Sequence, residues 1–217
     1  IPKFYWDAKL KIGRIKYYKF VNDKNYNQNI LDENNIINLV NKNIIDWLKK
    51  DIKGLIIDLS NHTGGNFFPF IQSLKLILGP TTLFAWGKKK IKKEEKLWFN
   101  INNNLKLINN DLFISNKINF QKPIAIIISS KTASAGEFCG IIFKGRQNSK
   151  FFGETSKGLL SVNTSFSINQ NKNLLIPTKL VTSIEGKFYD NEYIDVDFKT
   201  KTPIKDAKIW LKENLKN

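Results

Sequence analysis

Two runs in this sequence leave little freedom of fold. Leu55-Ile56-Ile57-Asp58-Leu59 is almost unbroken apolar chain, and Pro123 to Ser130 repeats the pattern with Ile124, Ile126, Ile127 and Ile128. A strand with one wet face alternates polar and apolar residues, whereas a continuous β-branched run is apolar on both faces. Such strands need cover above and below. Helical patterns stand beside them: Ile36, Leu39, Val40, Ile44, Trp47 and Leu48 between Asp32 and Lys50, then Phe67, Phe70, Ile71, Leu74, Ile77 and Leu78 before the Gly79-Pro80 stop. Further helices are expected from about Ser134 to Lys144 and from Ile204 to Leu215, the last with Ala207, Trp210, Leu211 and Leu215 on one face. Ile12 to Phe20 alternates as a strand, Lys150 to Phe152 reads as a short one, and Leu174 to Ile184 as another. Strands alternating with helices predict an α/β layered domain with a mainly parallel sheet flanked by helices.

A chain of 217 residues is expected to form one domain with a core of its own. Thr81 to Phe120, rich in Lys and Asn, reads as a variable surface excursion over about residues 81–120 and a candidate part of a substrate groove. No internal repeat or linker divides the chain. The net charge of +16 invites a nucleic-acid reading. It is nearly all lysine, with Arg14 and Arg146 the only arginines, and it is spread along the chain. Base readers lean on arginine, and no zinc-finger or basic-zipper spacing is present, so no specific nucleic-acid partner is expected. The densest run, Lys88 to Lys93, reads as a solvated loop, with weak attraction to anionic surfaces as the lesser alternative. Cys139 is the single cysteine, which excludes an intrachain disulfide and any multi-cysteine metal site. No apolar run approaches the ~20 residues that span a bilayer. The chain starts at Ile1 and has no methionine, so an upstream segment, cut away or missing, is expected.

Chemistry concentrates at two strand-to-helix junctions. In Asp58-Leu59-Ser60-Asn61-His62-Thr63-Gly64-Gly65-Asn66, paired glycines after a buried strand leave backbone N–H groups uncovered, where they can hold an anion. In Lys131-Thr132-Ala133-Ser134-Ala135-Gly136-Glu137, small residues allow close approach and Ser134 sits where a strand gives way to a helix, as at a nucleophile elbow. Each has a plain structural reading too. Ser134 with Glu137 fits an ordinary capping box, and Gly64-Gly65 fits a tight turn.

Taken in order, these segments resemble the C-terminal-processing (tail-specific) serine protease family, in the branch similar to the tricorn core protease and nisin-resistance proteins. Asp58 to Gly65 matches the family's D-L-R-x-N-x-G-G, with Ser60 for Arg and His62 for Asn. Thr132 to Glu137 matches T-A-S-[AS]-[GS]-E in full, and Gly153-Glu154-Thr155-Ser156-Lys157-Gly158 is an altered G-E-x-T-x-G. Asp190 to Asp197 is similar to the family's closing strand, with Val196 where Pro is usual. The resemblance implies a crotonase-like (ClpP-like) domain, without a PDZ insertion, that cleaves peptides or unfolded proteins through an acyl-enzyme. Ser134 would be the nucleophile, and the N–H groups of Ala135 and of Gly64 or Gly65 the oxyanion hole, with no metal and no cofactor. It also favours an extracytoplasmic or membrane-anchored setting.

Two residues compete for the general base, and a base supplied by missing upstream sequence is also open. Where the Ser–Lys branch carries its lysine this chain has Leu159, and Lys157 lies two residues away. The Ser–His branch places histidine near the domain start, where Lys16, Tyr17, Tyr18 and Lys19 stand here. The single histidine, His62, falls in the glycine-motif segment, either as base or in place of the family's structural Asn. A lysine base must shed its proton, which demands burial or a cationic neighbour. Asp190 matches the tricorn branch's orienting acid. The alternative to an active peptidase is a catalytically silent relative that binds peptides in the same groove by strand addition.

Overall fold

The computed structural model describes residues 1–22, 25–78, 82–87, 97–100, 120–170, 172–183, 186–189 and 192–214. Asp190, much of the 81–120 stretch and the Lys88 to Lys93 run lie outside them. In chain order the elements are β1 (Lys3–Asp7), β2 (Ile12–Phe20), α1 (Tyr26–Lys49), β3 (Gly54–Gly65), α2 (Phe68–Ser73), α3 (Lys75–Leu78), β4 (Thr82–Gly87), β5 (Leu97–Asn100), β6 (Ile124–Ile128), α4 (Ala135–Ile141), β7 (Ser149–Gly153), β8 (Ser161–Asn169), β9 (Lys172–Ser183), β10 (Phe188–Tyr189), β11 (Phe198–Lys199) and α5 (Pro203–Asn214).

The main sheet runs β1-β2-β3-β6-β7-β11, and every pairing in it except β1 with β2 is parallel. Both faces are covered, which is why β3 and β6 carry unbroken apolar runs. On one face Leu55, Ile57 and Leu59 of β3 and Ile124, Ile126 and Ile128 of β6 join the α1 stripe Ile36, Val40, Ile44 and Trp47, together with Phe70, Ile71 and Leu74 of α2 and Phe138 and Ile141 of α4. On the other, Ile12, Ile56, Ala125, Ile127 and Phe152 meet Ala207 and Leu211 of α5. The α/β fold with a mainly parallel sheet flanked by helices is thus as the sequence indicates.

Four differences bear on the site. β1 and β8 were not anticipated, and α1 begins at Tyr26, six residues before the apolar pattern. The strand β3 does not stop at Leu59. It continues through His62 to Gly65, pairing Tyr18 with Asn61 and Phe20 with Gly65 across two register shifts. The glycine pair is therefore the bulged end of a strand, not a free helix entrance. Of the expected closing strand at Asp190 to Asp197, the described residues 192–197 form no strand, and the two-residue β11 follows them. Residues 192–197 are held instead by bonds at separate points, such as Ile194 to Ser156 and Asp197 N–H to the Phe151 carbonyl at 2.9 Å.

A second sheet, β10-β9-β4-β5 with β8 on β9, takes two strands from the stretch read as a surface excursion. Its β8–β9 ribbon is amphipathic. Val162 at its root packs on the main core. Further along the same face, Phe166 opposes Leu174 and Thr164 opposes Ile176. Phe166, Ile168 and Leu174 are 47%, 63% and 49% exposed.

Candidate active site

The ends of β3 and β6 are stitched together by side chains reaching across. Thr132 Oγ1 donates to the Leu59 carbonyl at 2.9 Å and accepts the Ser129 N–H at 3.0 Å, while Ser129 Oγ donates to the Ser60 carbonyl at 2.6 Å. Asp58, buried, accepts from the Ser60 N–H and hydroxyl and lies 3.8 Å from the Lys16 ammonium. These bonds fix the height at which the chain leaves β6 for α4.

Ser134 stands at that exit with φ +50° and ψ −119°. A non-glycine residue in the left-handed region costs of order 1 kcal/mol or more and persists only if its surroundings hold it. Here they do. The Ser134 N–H donates to Glu137 Oε2 at 2.8 Å, the Ala133 N–H to the His62 carbonyl at 3.1 Å and the Gly136 N–H to the Ala133 carbonyl at 2.9 Å. Gly136 is required, because a Cβ there would run into the His62 carbonyl.

Gly64, at φ +125°, comes alongside. A Cβ on it would lie 3.4 Å from Ser134 Cβ and 3.8 Å from Ser134 Oγ, so its bare Cα leaves open the space beside the hydroxyl. Gly65 admits no side chain either, since its Cβ would enter the Phe20 carbonyl. The N–H groups of Ser134, Gly136 and Glu137 all have acceptors within the turn; that of Ala135 has none among the described residues.

Glu137 does more than cap α4. The carboxylate is fully buried and takes four donors: Ser134 N–H and Leu159 N–H on Oε2, both at 2.8 Å, and Ser156 hydroxyl at 2.6 Å and Gly158 N–H at 2.7 Å on Oε1. The Lys157 N–H reaches the Thr132 carbonyl at 2.8 Å. Segment 156–159 is thereby bound to the serine turn, and the β8–β9 ribbon starts directly after it. The S-x-x-E spacing signalled the Ser134 contact; nothing local in the sequence signalled Ser156 or the glycine and leucine amides.

His62 is buried. Its Nδ1 accepts the Gly64 N–H at 3.4 Å, its Nε2 lies 3.9 Å from Cys139 Sγ, and its ring meets Phe70 edge-on. An Nδ1 that accepts puts the ring proton on Nε2, facing the sulfur. Burial pulls the His62 pKa down to about 4, so the ring is neutral at ordinary pH. The buried thiol of Cys139 is pushed up by the same desolvation. Lys157 has its side chain in solvent. The structure thus gathers Ser134, Gly64, Ala135 and the Lys157 backbone around one turn. The His62 ring is turned to the core side, where its lone pair is engaged.

A serine held in a left-handed turn between a buried parallel strand and a helix, with a glycine of the neighbouring strand against its side chain, has the form of a nucleophile turn on a layered α/β frame. Residues 11–200 match Peptidase family S41. The chain belongs to that family of serine peptidases. It is 29% identical over 170 residues to the nisin-resistance protein of Lactococcus lactis subsp. lactis, a match covering 77% of this chain and 52% of that protein. The chain therefore spans about half the length of this curated relative. A lipoprotein from Streptococcus agalactiae superposes with a TM-score of 0.77 at 32% identity, covering 98% of this chain and 69% of the other. The photosystem II D1 C-terminal processing protease shares the fold at 15% identity, with a TM-score of 0.63 over 87% of this chain and 42% of that one.

Proposed function

We propose that this chain hydrolyses peptide bonds through an acyl-enzyme on Ser134, acting on peptides or unfolded proteins. The observation that carries this reading is the strained Ser134 backbone, anchored by Glu137 and laid against Gly64. A base takes the hydroxyl proton as Oγ attacks the scissile carbonyl. The Ala135 N–H and a glycine N–H then receive the oxyanion, worth roughly 2.7–4 kcal/mol per donor. The amine leaves with the proton, and water releases the acyl group from Ser134. Of the glycine donors, Gly64 would first give up its long bond to His62, a small loss at 3.4 Å.

For the base we favour Lys157 over His62. The neutral His62 ring is turned to the core side with its Nε2 facing Cys139 Sγ, whereas Lys157 is exposed on a segment pinned to the serine turn. Asp190 as an orienting acid belongs with the histidine alternative. The exposed apolar face of the β8–β9 ribbon, rooted beside Leu159, supports an extended peptide as ligand. Likeness to a lipoprotein supports an extracytoplasmic, membrane-anchored setting; no helix among the described residues is long and apolar enough to cross a bilayer.

The test is labelling by a fluorophosphonate together with cleavage of unfolded peptides. Labelling of the wild-type chain and none of Ser134→Ala is expected. A chain that takes up no probe and cuts no peptide would instead be the silent peptide binder.

A further inference from the structure

We propose that Ser156 is a positioning residue for the reaction at Ser134, acting through Glu137; the inference rests on the reading of Ser134 as nucleophile. Ser156 is buried and its hydroxyl has no rotational choice. The oxygen accepts the Ile194 N–H at 2.7 Å, which leaves the proton directed at Glu137 Oε1, 2.6 Å away. The Ser156 N–H returns to the Ile194 carbonyl at 3.2 Å, so both backbone groups of the buried Ile194 lock the serine in place. The carboxylate so gripped holds the Ser134 N–H on its other oxygen.

The chain of contact is short: Ile194 to Ser156, Ser156 to Glu137, Glu137 to Ser134. Each link is a charge-assisted or buried bond. Ser134 needs that grip because its left-handed backbone relaxes when the N–H acceptor turns away. Without the Ser156 hydroxyl, Oε1 keeps only the Gly158 N–H and the carboxylate gains freedom about its last torsion. The Ile194 N–H is left unpaired at the same time. A displaced Ser134 backbone carries Oγ with it, and displacement by about 1 Å costs as much as 10²-fold in rate. The effect falls on kcat, because Ser156 lies beneath the turn and touches no substrate.

Three variants separate this role from a merely structural one. Ser156→Ala and Ser156→Val lack the hydroxyl, while Ser156→Thr keeps it with nearly the volume of Val. Rates of fluorophosphonate labelling, kcat and KM for a peptide, and thermal melting are measured on each. The expected result is a fall of roughly 10–100-fold in labelling rate and kcat for Ala and Val, with KM unchanged, and recovery of most of the rate in Thr. Wild-type rates in folded Ser156→Ala or Ser156→Val overturn the proposal and leave the Ser134 reading intact. So does a result in which neither variant folds while Thr does, since the hydroxyl would then serve stability alone. Absence of labelling in the wild-type chain, or its persistence in Ser134→Ala, defeats the Ser134 reading itself and this inference with it.

Discussion

The Ser134 N–H points at Glu137 Oε2, 2.8 Å away, so the serine is anchored through its backbone. Ser134→Ala keeps that bond and the left-handed turn. It is therefore expected to abolish probe labelling and peptide cleavage while shifting stability by less than about 0.5 kcal/mol, well below the ~1 kcal/mol typical of losing a side-chain cap. Melting curves beside an activity assay check both halves.

Glu137→Gln is the opposite case. Four donors converge on this buried carboxylate, and an amide of the same shape offers one acceptor oxygen and presents an NH2 group to the other donors. At least one backbone N–H loses its partner and faces another donor. A loss of roughly 3 kcal/mol in unfolding free energy is expected, read by denaturant titration at constant m-value. The same variant should lose labelling, since the Ser134 turn is no longer held.

Local pattern carried the frame of the molecule and little of its wiring. β2, β3, β6 and β7 announced themselves because burial on one or both faces dictates residue type strand by strand, and α1 did so through its stripe of Ile36, Val40, Ile44 and Trp47. β8 was missed although Val162, Thr164, Phe166 and Ile168 alternate, because the intervening Ser and Asn residues read as loop. The extension of β3 through Gly65 is set by its pairing with β2, a partner some 45 residues earlier that no local pattern names. The nucleophile turn was visible as a motif. The long-range bonds that hold it join Glu137 to residues 19 to 22 positions away, and Ala133 to the His62 carbonyl across 71. Contacts of that span depend on topology.

The ribbon offers a separate test of the substrate. Phe166 and Leu174 oppose each other across β8 and β9, each about half exposed. Changing both to Ser removes one cross-strand apolar pair, a cost of about 0.2–1 kcal/mol, so the fold should survive. A small fluorophosphonate, which needs no extended contact, should label this double variant at the wild-type rate. A peptide substrate that lies along the ribbon should show a KM raised several-fold with kcat little changed. Equal KM values would remove the ribbon from the binding surface.

His62 supplies a prediction in which pH separates burial from catalysis. Its pKa is about 4 in the folded chain against 6.5 for an ordinary histidine, because desolvation penalises the imidazolium. Between those values the unfolded chain binds a proton that the folded chain refuses. Stability is therefore complete above pH 6.5 and declines as pH falls towards 4, by roughly 3 kcal/mol over the window. His62→Asn has no such proton to bind, and its oxygen can still accept the Gly64 N–H. Subtracting its stability–pH curve from the wild-type curve cancels the carboxylates and isolates the histidine. The same variant speaks to the base. If the His62 ring only holds Gly64, His62→Asn retains kcat within about tenfold and Lys157→Ala loses orders of magnitude. If the ring instead swings out to take the Ser134 proton, the order of damage reverses, and the rate of the wild-type chain climbs with pH as the imidazole becomes neutral.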